Sequence, residues 1–289
     1  MTKAAVKAST VPEAPFSDTS GLIDRHLQND KLHPVVAKAL GRLARFMTPR
    51  GTRVVLSHRY DRPVFFTFNN PDDRIHKNHM RGRFYESEQL AEIAGHMRKN
   101  GTYLDVGANV GNHTMYMLMF GGAAKVIPVE PNPEAIPLLT SNLILNGLMD
   151  RVDLTALGYG LDADSEDGLH IDNPRGNLGW ARLKRQTGEA GAISVRRGDD
   201  LVGKTRIDMI KMDVEGMEIG ALQGLRETIA RCRPKIFIEV DHRNREVFDA
   251  LMDEWGYEKV TEFSSSKVNQ NLLMKPKPKP RLKSKRKPK

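Results

Sequence analysis

The stretch YLDVGANVGNHT, from Tyr103 to Thr114, decides how this chain reads: an apolar strand runs into a glycine loop that opens a helix. Such a loop lets the backbone approach a ligand, because Gly107 and Gly111 lack side chains and tolerate unusual dihedrals. Asp105 stands at the strand end, where its carboxylate can accept hydrogen bonds from a ligand amine. A second strand is expected from Lys125 to Val129 and ends in Glu130, the acid before PNP. An acid there, nineteen positions after Gly111, is where nucleotide-binding sheets hold ribose hydroxyls. The expected ligand is a nucleoside; the plain alternative is a strand and helix joined by a glycine turn.

What the loop lacks narrows the ligand. Asn109 and Asn112 occupy the second and third glycine positions of a dinucleotide fingerprint, so a pyrophosphate is not easily accommodated. No phosphate-binding GxxxxGK[ST] occurs either. S-adenosylmethionine remains, with a cationic sulfonium and an amine that suit Asp105 and Glu130.

DVGANVGNHT (Asp105 to Thr114), VEPNP (Val129 to Pro133), the pair Asn142 and Asn146, IDMIKMDVEGME (Ile207 to Glu218), ALQG (Ala221 to Gly224) and PKIFIEV (Pro234 to Val240) follow one another in this order. Together they resemble the FkbM-type S-adenosylmethionine-dependent methyltransferases over roughly residues 85 to 274, with Val129 in place of the family's usual Phe. The resemblance implies a Rossmann-like class I methyltransferase fold, a mostly parallel, doubly wound α/β sheet closed by an antiparallel hairpin. It also implies cofactor contacts at Glu86, Asp105, Gly107, Asn109, Gly111, Thr114, Glu130, Asn132 and Asp213, with Glu86 facing the cofactor's amino group.

Composition agrees with one enzyme domain plus extensions. The chain has 289 residues, 39% hydrophobic and 28% charged, enough to bury a sizeable core. A single cysteine, Cys232, excludes an intramolecular disulfide and a cysteine metal cluster. No long apolar run or signal-like N-terminus is present, so a cytoplasmic location is expected. The net charge of +9 resides in residues 275–289, KPKPKPRLKSKRKPK, which carry nine Lys or Arg and no acid. Alternating Lys and Pro cannot form a helix or a sheet ladder, so this tail reads as disordered. It offers a phosphate, lipid or acidic protein a non-specific, salt-sensitive attraction, or it acts only as a solubiliser.

Four regions are expected: a disordered stretch over 1–20, a helical and β extension over 21–84, the methyltransferase domain over 85–274, and the basic tail. Within the extension, Gly21 to Met47 reads as amphipathic helix, and Arg53 to Leu56 and Val64 to Phe68 as two strands. Parallel strands are expected over Tyr103–Val106, Lys125–Val129, Val152–Ala156, Ile207–Met212 and Lys235–Val240, with an extra edge strand at Ile193. Their carboxyl ends bring Asp105, Glu130, Asp213 and Glu239 to one crevice. Trp180, in the long polar connection before Ile193, would stack on a substrate ring or pack that loop down.

Methyl transfer to an unactivated hydroxyl calls for a general base. Asp213, closing the fourth of these strands, is the first candidate and His242 the second. Glu215 is a third; with Glu218 it is expected on one face of a helix start, where complementing the helix N-terminus would explain both equally well. His113 reads as a packing or capping residue. His76 and His79 read as solvated surface histidines rather than zinc ligands. Asp199, Asp200, Asp213, Glu239 and Asp241 would bind magnesium only if they converge, and helix capping accounts for the first two as well. No metal is assigned.

The expected activity is an O-methyltransferase for a sugar, glycolipid or small hydroxylated metabolite. Two alternatives stay open: an RNA or protein methyltransferase that captures its substrate with the basic tail, and a non-catalytic nucleoside-binding adaptor.

Overall fold

The computed structural model describes residues 51–172, 182–184, 193–263 and 268–278. The expected helices of Gly21 to Met47, Trp180 and most of the basic tail lie outside these residues. The centre is a six-stranded sheet in the order β11-β12-β10-β9-β3-β4. These strands are β3 (Gly101–Val106), β4 (Ala123–Val129), β9 (Met209–Met212), β10 (Lys235–Asp241), β11 (Tyr257–Phe263) and β12 (Asn269–Pro276). β4, β3, β9 and β10 run parallel, while β12 pairs antiparallel with both β10 and β11. From β3 the chain crosses to β4 on one side and later returns to β9 on the other. The switch point therefore lies between the carboxyl ends of β3 and β9, the place where open α/β sheets bind ligands.

β12 continues through Lys275 and Pro276, opposite Glu258 and Tyr257, so the stretch expected to form no sheet ladder begins inside one. Alternation along each strand divides the core into two. Leu104, Val106, Ile210, Met212, Ile236, Ile238, Leu272 and Met274 are buried on one face, in a cluster that includes Leu222, Ile229 and Phe248. These three come from the helices α6 (Glu218–Gly224), α7 (Arg226–Cys232) and α8 (Arg245–Glu254). The opposite face starts apolar, with Tyr103, Met209, Phe237 and Leu273. It is covered by α2 (Ser87–His96), through Leu90 and Ile93, and by α3 (Asn112–Met119), through Met115 and Met119. Moving toward the strands' carboxyl ends, the same face turns polar, with Asp105, Lys211, Asp213 and Glu239. This change along one face creates the site.

The hairpin of β1 (Arg53–Ser57) and β2 (Val64–Phe68) joins the same core through Val64, Phe66 and the neighbouring Phe84. β2 is tied to α4 (Ile136–Leu145) and its C-cap by two asparagines one turn apart. Asn142 Oδ1 accepts the Thr67 N–H at 2.7 Å, and Asn146 bonds both the N–H and the C=O of Phe65. Four residues of helix advance about 6 Å and two residues of strand about 6.7 Å, so side chains at i and i+4 match alternate strand residues. α1 (Arg74–Met80) is capped by Asp73, which accepts the Ile75 and His76 amides. His76 and His79 on it are fully buried, which overturns their reading as solvated surface residues.

Two expected strands change place. Val152 to Ala156 makes only one parallel bridge, Val126 with Val152. The Asp153 carboxylate accepts the Thr155 N–H and O–H and turns the chain into a 3₁₀ helix over Leu154–Ala156. Ile193 does begin a strand, β8 (Ile193–Arg196), but not at an edge of the central sheet. β8 pairs with β5 (Tyr159–Leu161) and β6 (Glu166–Asp172), which also binds β7 (Arg182–Lys184), in a separate four-stranded sheet. α5 (Gly198–Val202) follows, and Asp199 accepts the Glu227 and Thr228 amides at the start of α7. Asp199 is thus a capping residue, but for a helix distant in sequence.

Candidate active site

The glycine loop is held from both sides. The Gly107 and Ala108 amides donate to the Val129 carbonyl, and the Asn109 amide donates to Glu130 Oε2 at 2.7 Å. Glu130 Oε1 accepts the Asn132 amide at 2.8 Å, so this one carboxylate joins the loop after β3 to the loop after β4. Burial pushes the Glu130 carboxyl up to about 7, against the pull of the two amides and Lys211. Asn132 closes its own turn by accepting the Glu134 amide. Gly107 has φ +74°, and a Cβ on it would lie 1.8 Å from the Asp213 carbonyl oxygen. Only glycine fits there. Gly111 (φ +83°) begins α3, with Leu139 against its open side.

Beneath the loop lies Lys211, 4% exposed and in register with Asp105. Its ammonium donates to the Gly107 carbonyl at 2.7 Å and lies 3.6 Å from Asp105 Oδ1 and 4.0 Å from Asp213 Oδ2. Burial opposes the charge, yet Asp105, Asp213, Glu86 and Glu130 together hold the ammonium above the ordinary lysine value. Asp105 is fully buried: Oδ2 accepts the Thr114 hydroxyl at 2.6 Å, whereas Oδ1 has no hydrogen-bond partner. Asn109 Oδ1 is likewise buried and without a partner. Thr114, expected at the cofactor, is fully buried and its hydroxyl is occupied by Asp105.

Asp213 differs from Asp105 in access. Its amide donates to the Val106 carbonyl, while its side chain keeps 38% of its surface open in a recess. Burial raises this carboxyl above its ordinary value and Glu86 adds to the rise, while Lys211 and His113 oppose it. His113 stacks on Phe237, and its Nε2 lies 3.4 Å from Glu86 Oε2. Glu86 itself has φ +55° and precedes α2. Burial works against its charge, but His113, Lys211 and Tyr85 outweigh it and bring the carboxyl below the usual value. Glu239, on β10, is pushed up to about 8 by burial and by the neighbouring Asp213.

The other candidates separate. Glu215 (φ +48°) lies in the loop ahead of α6, so it does not share a helix face with Glu218. Glu218 is buried, and its Oε1 accepts the Asp241 amide and the Asn244 side-chain amide, so it ties α6 to the end of β10. His242 is exposed in the turn after β10 and its amide donates to Val268. Asp241 bonds the Arg243 guanidinium, so Asp199 and Asp241 do not converge with Asp213 and Glu239. Among the described residues no cluster of His, Cys, Asp and Glu has metal-binding geometry.

Lys211 escaped the sequence reading, although a lysine inside the otherwise apolar strand MIKM was the available signal. His113, expected to pack or cap, also meets Glu86, a contact that sequence does not show because the two are 27 positions apart.

A glycine loop at the switch point of a parallel sheet, above a row of acids with one buried lysine, stands where open α/β sheets bind their ligands. The sequence model of the Methyltransferase FkbM domain matches residues 105–259, more than half of the chain. The chain belongs to that family and is an S-adenosylmethionine-dependent methyltransferase. It is 26% identical to methyltransferase sdnD of Sordaria araneosa over 192 residues, 55% of this chain and 74% of that protein. It is 30% identical to the hexuronic acid methyltransferase AglP of Haloferax volcanii over 132 residues, 43% of this chain and 50% of that one. With the 2-O-methyltransferase NoeI of Sinorhizobium fredii it shares 26% over 168 residues, 52% of this chain and 66% of that one. The chain thus spans half to three quarters of these relatives. The crystal structure of a methyltransferase FkbM from Methylobacillus flagellatus aligns with 88% of this chain and 58% of its own, at 17% identity and a TM-score of 0.48.

Proposed function

We propose that this chain is an O-methyltransferase for a hydroxyl of a sugar, glycolipid or small metabolite, with a Rossmann-like class I catalytic unit spanning residues 85 to 274. The observation that carries this reading is the row Asp105, Lys211, Asp213 beneath the glycine loop. Its acids outnumber its single cation, and Asp105 Oδ1 is buried without a hydrogen-bond partner. The Lys211 ammonium lies 3.6 Å from this oxygen, beyond hydrogen-bond distance, and one ammonium does not offset both acids, so a cationic ligand above the row fits the remaining negative charge. Asp105, Glu86, Glu130 and the loop backbone at Gly107 and Asn109 would hold S-adenosylmethionine. When bound, the cofactor supplies a methyl group on a cationic sulfur, so transfer to an alcohol gives an ether and a neutral sulfide and releases the hydroxyl proton. Asp213, the acid of the row with an open side chain, takes that proton, and Lys211 beside it compensates the charge. His242, exposed in the next turn, is the second candidate base.

The names of two relatives, one acting on hexuronic acid and one a 2-O-methyltransferase, favour a sugar hydroxyl as acceptor. Calorimetry with S-adenosylhomocysteine on the wild type and Glu130→Ala tests the cofactor site. Transfer of labelled methyl to methyl hexosides and methyl hexuronosides tests the acceptor. Binding that the variant loses, with label in a glycoside, is expected. A folded protein that binds no S-adenosylhomocysteine would overturn the reading.

A further inference from the structure

Glu239 is a titratable group of this crevice without an assigned task. Its place follows from sheet register: Met212 pairs with Ile238, so the next residues on the two parallel strands, Asp213 and Glu239, stand side by side. The register thus sets the two carboxyl groups against each other, and each perturbs the other's ionisation. Two ionised carboxylates are both acceptors only and repel, so a direct bond between them requires one shared proton. From β12, the side-chain amide of Asn269 donates to Glu239 Oε1.

The surrounding charges say which member keeps the proton. Asp213 is faced by the Lys211 ammonium from β9 and by His113 from α3, both of which favour its ionised form, and by Glu86 from the start of α2, which opposes it. Glu239 is faced by Asp213, by Glu215 from the loop before α6 and by Glu86 from the start of α2, all of which disfavour a second negative charge. The asymmetry places the negative charge on Asp213 and the proton on Glu239.

We propose that Glu239 is a positioning residue for proton transfer: it holds the proton shared with Asp213, aims the ionised Asp213 carboxylate at the acceptor, and sets the pH range in which that carboxylate serves as base. The inference rests on the assignment of Asp213 as base. In the step it serves, the hydroxyl oxygen bonds the methyl carbon, the carbon–sulfur bond breaks with its electron pair left on sulfur, and the hydroxyl proton passes to Asp213. The pair then carries two protons and returns one to solvent through the open edge of Asp213.

The test is carboxyl ¹³C NMR of the full chain, labelled at its Glu and Asp side chains, for wild type, Glu239→Gln and Asp213→Asn. Titration with S-adenosylhomocysteine accompanies each. One Glu resonance titrating near pH 8 is expected in the wild type. It is absent in Glu239→Gln and falls by about one pH unit or more in Asp213→Asn, where the like charge is gone. A Glu239 resonance titrating in the ordinary range, or one unmoved by Asp213→Asn, overturns the proposal. On a hexoside acceptor, Glu239→Gln, which keeps a neutral donor beside Asp213, leaves the acid limb of kcat/KM in place, whereas Glu239→Leu, which removes it, moves the limb to higher pH; a limb unmoved by Glu239→Leu also overturns the proposal. Failure of all three proteins to bind S-adenosylhomocysteine would instead strike the cofactor assignment, because the NMR titration reads the pair without ligand.

Discussion

The Lys211 ammonium donates to the Gly107 carbonyl at 2.7 Å and thereby ties the middle of β9 to the glycine loop after β3. The loop and the strand that carries Asp213 are one mechanical unit. Lys211 neutralises part of the acid row and also fills a backbone acceptor that the tight loop would otherwise leave buried.

Lys211→Met removes the sole ammonium between Asp105 and Asp213 and leaves a buried charge without compensation. Breaking a buried pair in this way costs about 3–5 kcal/mol. Urea denaturation at pH 7 should show a loss of that size. Lys211→Arg, which keeps the charge but not the compact ammonium, should lose less. Equal stability of Lys211→Met and wild type would contradict the pairing.

Gly107→Ala adds a Cβ at 1.8 Å from the Asp213 carbonyl, at a φ of +74°. The dihedral strain alone is about 1–2 kcal/mol, and the backbone clash forces the two loops apart. S-adenosylhomocysteine affinity should fall about tenfold or more, measured by calorimetry, with a lowered melting temperature. Gly147→Ala, also at positive φ but with no atom near its open side, should leave affinity unchanged and is the control.

Asn142→Ala leaves the buried Thr67 N–H and the Val110 carbonyl without partners. Unmade buried bonds of this kind cost about 1–3 kcal/mol each. Denaturant midpoints should drop accordingly, and amide exchange at Phe65 and Thr67 should accelerate, since β2 loses its attachment to α4. Asn146→Ala should accelerate Phe65 more than Thr67.

Two buried groups pull the pH dependence of stability in opposite directions. Burial lowers His79 from 6.5 to about 4, so the unfolded chain takes its proton first; stability is full above pH 6.5 and falls as pH drops toward 4. Burial raises Glu130 from 4.5 to about 7, so its contribution is full below pH 4.5 and is lost as pH rises through 7. Each amounts to about 3 kcal/mol at 1.36 kcal/mol per unit, and between pH 4.5 and 6.5 their slopes cancel. His79→Gln removes one side of the balance. Its guanidinium midpoint should rise relative to wild type as pH is lowered from 7.5 to 5, and an unchanged difference would refute the assignment.

Local pattern carried much of this protein. The glycine loop, the acids Asp105 and Glu130 at successive strand ends and the alternation of strands with helices were legible because each is written in adjacent residues and follows the period of its own element. The 3₁₀ turn at Leu154 was not, since an apolar run beside Asp153 reads the same whether the carboxylate caps a turn or points away. Nor was the separate sheet of β8, because strand pattern does not specify a strand's partner.

By itself, the sequence determined the glycine loop, the strand-end acids and their order along the chain, because glycine freedom and strand period act within a few residues. Tertiary structure decided which of these groups meet. Lys211 reaches Gly107 across 104 positions and Asn142 reaches Thr67 across 75. The burial and charge that push Glu130 to about 7 and Glu239 to about 8 arise only when the sheet brings their neighbours together. Electrostatic energy and desolvation depend on distances through space, and those exist only after the chain has folded.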